Sequence, residues 1–256
     1  MASARFEELD WRPTPIGEIS LRRRREPTLD VDVYEVRLGA EFLMSSLFTV
    51  AEEELATLGL AALGDAAPIG GGFDVVVGGL GLGYTARTAL ADPRVGSLWV
   101  VETLEAVIGW HRDLLLPGAT ALTRDPRCHL AQADFFAAVA GSGLGPATLG
   151  DASGTTAPSR WHAILLDVDH APDQVLHPSH AEFYSAAGLR RLAGTLHPGG
   201  VFALWSDKAP DEAFVAVLAQ VFGTAVAHVV SFANFYTGGT SANTVYIAHQ
   251  AASPAF

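Results

Sequence analysis

From Phe73 onward, short and wholly apolar runs alternate with helical stretches, and few folds accept that order. The runs are FDVVVGG, SLWVVET, CHLAQAD, HAILLDV and VFALWSD, beginning at Phe73, Ser97, Cys128, His162 and Val201. A strand without polar alternation is covered on both faces, so the sheet is parallel with helices on each side. TARTALA, LEAVIGWHRDLL and HAEFYSAAGLRRLAGTL supply crossover helices, the last stopped by an HPGG turn at residues 197–200. Two more β-rich segments, VAHVVSF from Val226 and TVYIAHQ from Thr244, are expected to form a terminal antiparallel pair. The expected architecture is α/β: a doubly wound, Rossmann-like, mostly parallel seven-stranded sheet.

Ahead of it, residues 1–50 read as a small β-hairpin region, with extended segments at 16–21, 31–38 and 41–44 broken by the basic run Arg22 to Arg25. That run reads as a solvated turn. TVAEEELATLGLAAL, from Thr49, reads as the helix that leads into the second unit, residues 51–256. The Gly-, Ser-, Thr- and Pro-rich stretch 141–160 reads as a mobile loop.

Charge narrows the partners. With 16 Lys plus Arg against 28 Asp plus Glu, the net charge is -12, which opposes binding to a polyphosphate, so nucleic acid is not expected as a substrate. A single cysteine, Cys128, rules out an intrachain disulfide and any multi-cysteine metal cage. Residues 1–15 carry no apolar run with a small-residue cleavage site, and no run of about 18 apolar residues follows, so a cytoplasmic protein without membrane contact is expected. The apolar segment Phe42 to Phe48 is a candidate homodimer contact.

The candidate site lies at the carboxyl ends of the strands. FDVVVGG runs into GLGYTARTA, which places Gly79, Gly81 and Gly83 in the turn before a helix, where backbone can approach a ligand. This spacing suits an adenosyl-sulfonium, although Gly81, Gly83 and Ala86 also satisfy a dinucleotide fingerprint. Glu102 ends the second strand, where a carboxylate accepts both hydroxyls of a ribose. Asp134 ends the third, where a carboxylate can take the exocyclic amine of adenine or cap the helix FFAAVA.

After the fourth strand, LLDVDHAPDQVLHPSH gathers Asp167, Asp169, His170, Asp173, His177 and His180. Asp167 is the candidate catalytic group: it or Asp169 could hold a substrate ammonium and accept its proton, with Asp169 and His170 as substrate contacts. His177 and His180 lack the spacing of a helical zinc motif, and no metal is expected.

In order and spacing, VVVGGLGLGYTARTAL, VVETLEAVIGWHRDLL, RDPRCHLAQADFF, AILLDVDHAP and HPSHAEFYSAAGLRRLAGTLHPGG resemble the spermidine synthase (polyamine aminopropyltransferase) family over about residues 73–210. The resemblance implies the class I S-adenosylmethionine-dependent methyltransferase-like fold. It further implies aminopropyl transfer from decarboxylated S-adenosylmethionine to a small-molecule amine, with Glu102 on ribose, Asp134 on adenine and Asp167 on the attacking amine. The sequence departs from the family at three places. Gly81 stands where the turn normally carries an acid that grips the aminopropyl ammonium, Asp167-Val168-Asp169-His170 replaces Asp-Ser-x-Asp-Pro, and no Tyr-His-Glu motif precedes the sheet. The alternatives are an S-adenosylmethionine-dependent methyltransferase of small molecules, or a nucleoside-binding homologue without catalysis.

Overall fold

A computed structural model describes residues 6–64, 68, 71–151 and 153–251. The outer limits of the two expected units, and residue 152 of the expected loop, lie outside the described residues.

Two sheets organise the chain. The first is antiparallel, in the order β1 (Phe6–Thr14), β2 (Gly17–Glu26), β3 (Val31–Leu38), β4 (Glu41–Ser45). It is larger than the expected hairpin, and the run Arg22 to Arg25 lies inside β2 instead of breaking it. The arginines are held there by acids on the flanking strands and the adjoining turn: Arg22 by Glu8 at 3.5 Å, Arg24 by Glu35 at 2.6 Å, and Arg25 by Asp30 at 2.7 Å and Asp32 at 3.2 Å. Cross-strand pairing of opposite charges turns an apparent breaker into a ladder.

The second sheet contains β5 (Phe73–Gly78), β6 (Val95–Glu102), β7 (Cys128–Gln132), β8 (Trp161–Leu166), β9 (Leu196–Ser206), β10 (Gly223–Asn234) and β11 (Gly239–Gln250), in the order β10-β11-β9-β8-β5-β6-β7. β5 to β9 run parallel, and β11 pairs antiparallel with both β9 and β10. All seven strands expected from the sequence are present. The HPGG segment is not a helix stop. The helix ends at Ala193, and residues 197–200 bulge within β9, because Trp161 pairs Leu196 while Ala163 pairs Val201.

Helices α1 (Val50–Ala61), α2 (Tyr84–Ala91), α3 (Glu105–Arg112) and α4 (Ala119–Thr123) contribute to one apolar core together with β2 and β3. Helices α5 (Phe135–Ala140), α6 (Ala186–Ala193) and α7 (Glu212–Phe222) contribute to a second. Each core holds fully buried indoles, and burying a side chain of that size contributes roughly 1.5–3 kcal/mol. Two of the buried indole N–H groups find acceptors within the protein: Trp110 donates to Asp10 at 2.6 Å and Trp161 to the Leu144 carbonyl at 2.7 Å.

The segment 141–160 differs from the expected loop. It is irregular chain, but Leu144, Leu149 and Ala157 are buried in the second core, and Asp151 takes His129 at 2.7 Å. The segment Phe42 to Phe48 is largely used within the chain. Leu43 and Met44 line a cavity, Phe48 packs against Phe232 and Phe235, and Phe42 is exposed. No helix among the described residues is long and apolar enough to cross a membrane.

Candidate active site

The strands β5 and β8 end side by side, and the first requirement of the site is that they do so closely. A Cβ on Gly79, at φ +93°, would stand 2.1 Å from the Asp167 carbonyl oxygen, so only glycine permits the approach. Gly81, at φ +47°, is different. Its added Cβ would meet only the flexible end of Met44, with Sδ at 2.6 Å and Cε at 2.7 Å. The turn is propped from below by His111 on α3, whose Nε2–H donates to the Gly81 carbonyl at 2.9 Å. That bond leaves Nδ1 as a buried lone pair without a partner, and burial pulls the imidazole pKa down, which keeps it neutral.

Above the turn is a cavity walled by Gly79 to Tyr84, by Leu43 to Ser45 of β4, by Glu52 of α1, and by Asp167, His170 and Trp205 from the ends of β8 and β9. Among the described residues, no Lys or Arg lines it. Asp167 accepts the Thr85 hydroxyl at 2.8 Å, and the same hydroxyl reaches the Glu52 carbonyl at 3.1 Å. Burial pushes Asp167 up to about 6 against that hydrogen bond. Burial, followed by the charge of Asp167, pushes Glu52 up to about 8. Two carboxylates facing one small space resist joint ionisation, so together they hold a proton that isolated acids would release.

Sequence reasoning missed Glu52. In one dimension it is an acid in the first turn of a helix, a place where acids are ordinary. Only the packing of α1 against the sheet reveals its neighbour.

His170 also lines the cavity, with Nε2 3.2 Å from Glu41 and Nδ1 3.5 Å from Asp207. Asp169 does not join it. Its carboxylate is 1% exposed and accepts Leu176 N at 2.7 Å, His180 Nδ1 at 2.9 Å and the Tyr184 hydroxyl at 2.9 Å. The expected substrate contact at Asp169 is therefore replaced by a structural one. His180 stacks on Phe136 at 3.8 Å, and His177 bonds Ser179 at 2.7 Å as the cap of a short 3-10 turn at 178–184.

The expected nucleoside residues lie at the ends of paired strands. Glu102 Oε2 accepts Leu80 N at 3.1 Å and Oε1 accepts Leu104 N at 2.8 Å, which ties the end of β6 to the glycine turn. Burial raises its pKa against these donors. Ala133 N bonds the Glu102 carbonyl at 3.0 Å, placing Asp134 next in line. Asp134 is exposed and caps α5 through Ala137 N at 2.9 Å, with its other oxygen free of hydrogen bonds among the described residues. Beside this edge is a second cavity of about 270 Å³, between Thr103 to Ala106, Gln132 and the β1–β2 turn at Arg12 to Ile16.

At the opposite edge of the sheet, Asp74, His162 and His197 bring potential ligand atoms within 4.8 Å of one another. His162 Nδ1 already accepts the Asp74 N–H at 3.0 Å, so its second nitrogen carries the proton and neither lone pair is open to a metal.

No family model and no curated protein sequence matches the chain. Solved structures do. Spermidine synthase from Thermotoga maritima superposes with a TM-score of 0.68 at 15% identity, covering 96% of this chain and 74% of that one. A spermidine synthase in complex with the transition state analogue AdoDATO gives 0.69 at 15% identity, covering 96% and 75%. Human methyltransferase-like protein 13 in complex with SAH gives 0.51 at 18% identity, covering 81% and 82%. At these identities the likeness is one of fold, and the chain has the spermidine synthase-like, class I methyltransferase-like fold.

Proposed function

We propose that this protein is a transferase that uses an adenosyl-sulfonium donor, moving an aminopropyl group from decarboxylated S-adenosylmethionine to a small amine. One observation carries the reading. Asp167 is a half-buried carboxylate at the carboxyl end of β8, beside the glycine turn, in a cavity lined by acids and, among the described residues, by no Lys or Arg. Such walls favour a cationic ligand and disfavour an anionic one.

In this reading Glu102 binds the ribose, Asp134 the adenine amine, and Gly79, Gly81 and Gly83 let the turn lie against the nucleoside. The sulfonium supplies its own leaving group, so the protein has to align an amine and remove its proton. Asp167, raised toward neutrality by burial, is a stronger base than an ordinary carboxylate and is still largely ionised at pH 7. It accepts the ammonium proton. The freed amine attacks the carbon next to sulfur, the C–S bond breaks, and its electron pair stays on sulfur as a thioether.

A second reading, methyl transfer from S-adenosylmethionine, draws on Gly81, where the glycine turn carries no acid to repel a donor carboxylate. Products separate the two. Methylthioadenosine formed from the decarboxylated donor with a panel of diamines and polyamines supports aminopropyl transfer. S-adenosylhomocysteine formed from the carboxylated donor supports methyl transfer. Absence of both overturns the transferase reading.

A further inference from the structure

Gly81 leaves a question of charge. If the donor ends in an ammonium, the glycine turn has no acid to meet it, and Met44 occupies the space into which an acid at position 81 would project. The same cavity offers another carboxylate. Glu52 enters from α1 with no side-chain partner among the described residues, and Thr85 joins its backbone to Asp167 across the cavity floor. We propose that Glu52 is the specificity-determining residue that receives the ligand's terminal ammonium, taking over from α1 the task that the glycine turn cannot perform. This assignment rests on the donor reading above.

Three features support it. Gly81, Met44, Tyr84 and Glu52 line one cavity, so an arm lying on the turn shares its enclosure with that carboxylate. Glu52 and Asp167 are two acids in one enclosed space, an arrangement that a bound cation relieves, because it neutralises the repulsion that otherwise keeps a proton on the pair. Finally, Trp205 Nε1–H in the same wall is buried without an acceptor, whereas the indoles of Trp110 and Trp161 are satisfied within the protein. That donor marks the cavity as one a ligand enters, through an acceptor atom of the ligand other than its ammonium, which has no lone pair to offer. The division of labour follows: Asp167 handles the attacking amine and Glu52 anchors the donor's far end.

The test is calorimetric titration of the full chain with three adenosyl compounds. Methylthioadenosine carries neither charge, decarboxylated S-adenosylhomocysteine carries the ammonium alone, and decarboxylated S-adenosylmethionine carries ammonium and sulfonium. Glu52→Gln is expected to weaken the two ammonium compounds about 10- to 100-fold, the loss of one hydrogen-bonded charge, while leaving methylthioadenosine unchanged. Adding Gly81→Asp and Met44→Ala to Glu52→Gln should restore ammonium binding, since aspartate tolerates a positive φ and the alanine clears its path. Equal weakening of all three ligands, or of the sulfonium compound alone, would overturn the assignment while leaving the donor reading standing. If the wild-type chain binds none of the three, the donor reading itself fails and the assignment fails with it.

Discussion

Asp167 and Asp169 are two residues apart just past the end of one strand, the first half-buried and the second buried, and they live in opposite circumstances. Asp169 takes hydrogen bonds from a backbone amide, an imidazole and a phenol, all within 3 Å. Asp167 has one hydroxyl for a partner and faces Glu52 across a cavity. A satisfied buried acid fixes structure. One left nearly bare beside another acid is destabilising in the free protein, and such strain is retained where a ligand is meant to relieve it.

If the contrast is right, the two sites fail in different ways. Asp169→Ala strips a shared acceptor from His180, Tyr184 and Leu176 and should cost about 3–5 kcal/mol of stability, measured by urea unfolding, as expected when one member of a buried charge network is removed. A cost below about 1 kcal/mol would erase the distinction between the two acids. Tyr184→Phe removes one hydrogen bond to the same carboxylate and should cost about 2 kcal/mol. Activity, corrected for folded fraction, should survive in the Tyr184 variant.

The pH dependence of stability sharpens the other side. Glu52 keeps its proton up to about 8 in the folded chain, whereas an unfolded glutamate releases it near 4.5. Between these values the folded state holds more protons than the unfolded one, so stability falls as pH rises and the loss is complete above about 8. Glu52→Gln should flatten this part of the melting-temperature profile, leave it unchanged below 4.5, and be more stable than wild type at pH 8. A profile identical to wild type would mean that Glu52 ionises freely.

The sequence revealed some of this contrast and hid the rest for physical reasons. The strands of the second sheet were readable because burial on both faces leaves an uninterrupted apolar signature, as in the three valines of β5. β1 escaped notice because FEELDWRPT is mostly polar and is held to β2 by charge pairs that no hydrophobic periodicity reports. Asp167 and Asp169 looked alike because alternation places residues two apart on the same side, but β8 ends at Leu166 and the chain turns beyond it. Asp134 could be read as cap or ligand, and its capping bond is visible while its second oxygen stays open. Glu52 needed the fold, since its partner arrives from a distant strand.

If Asp167 removes the proton of the attacking amine, as proposed, the rate of methylthioadenosine release by Asp167→Asn at saturating donor and amine shows it. That rate should fall about a hundredfold or more, the usual scale for losing a positioned acid or base, with unfolding midpoints equal to or above wild type. A variant that turns over at the wild-type rate would contradict it.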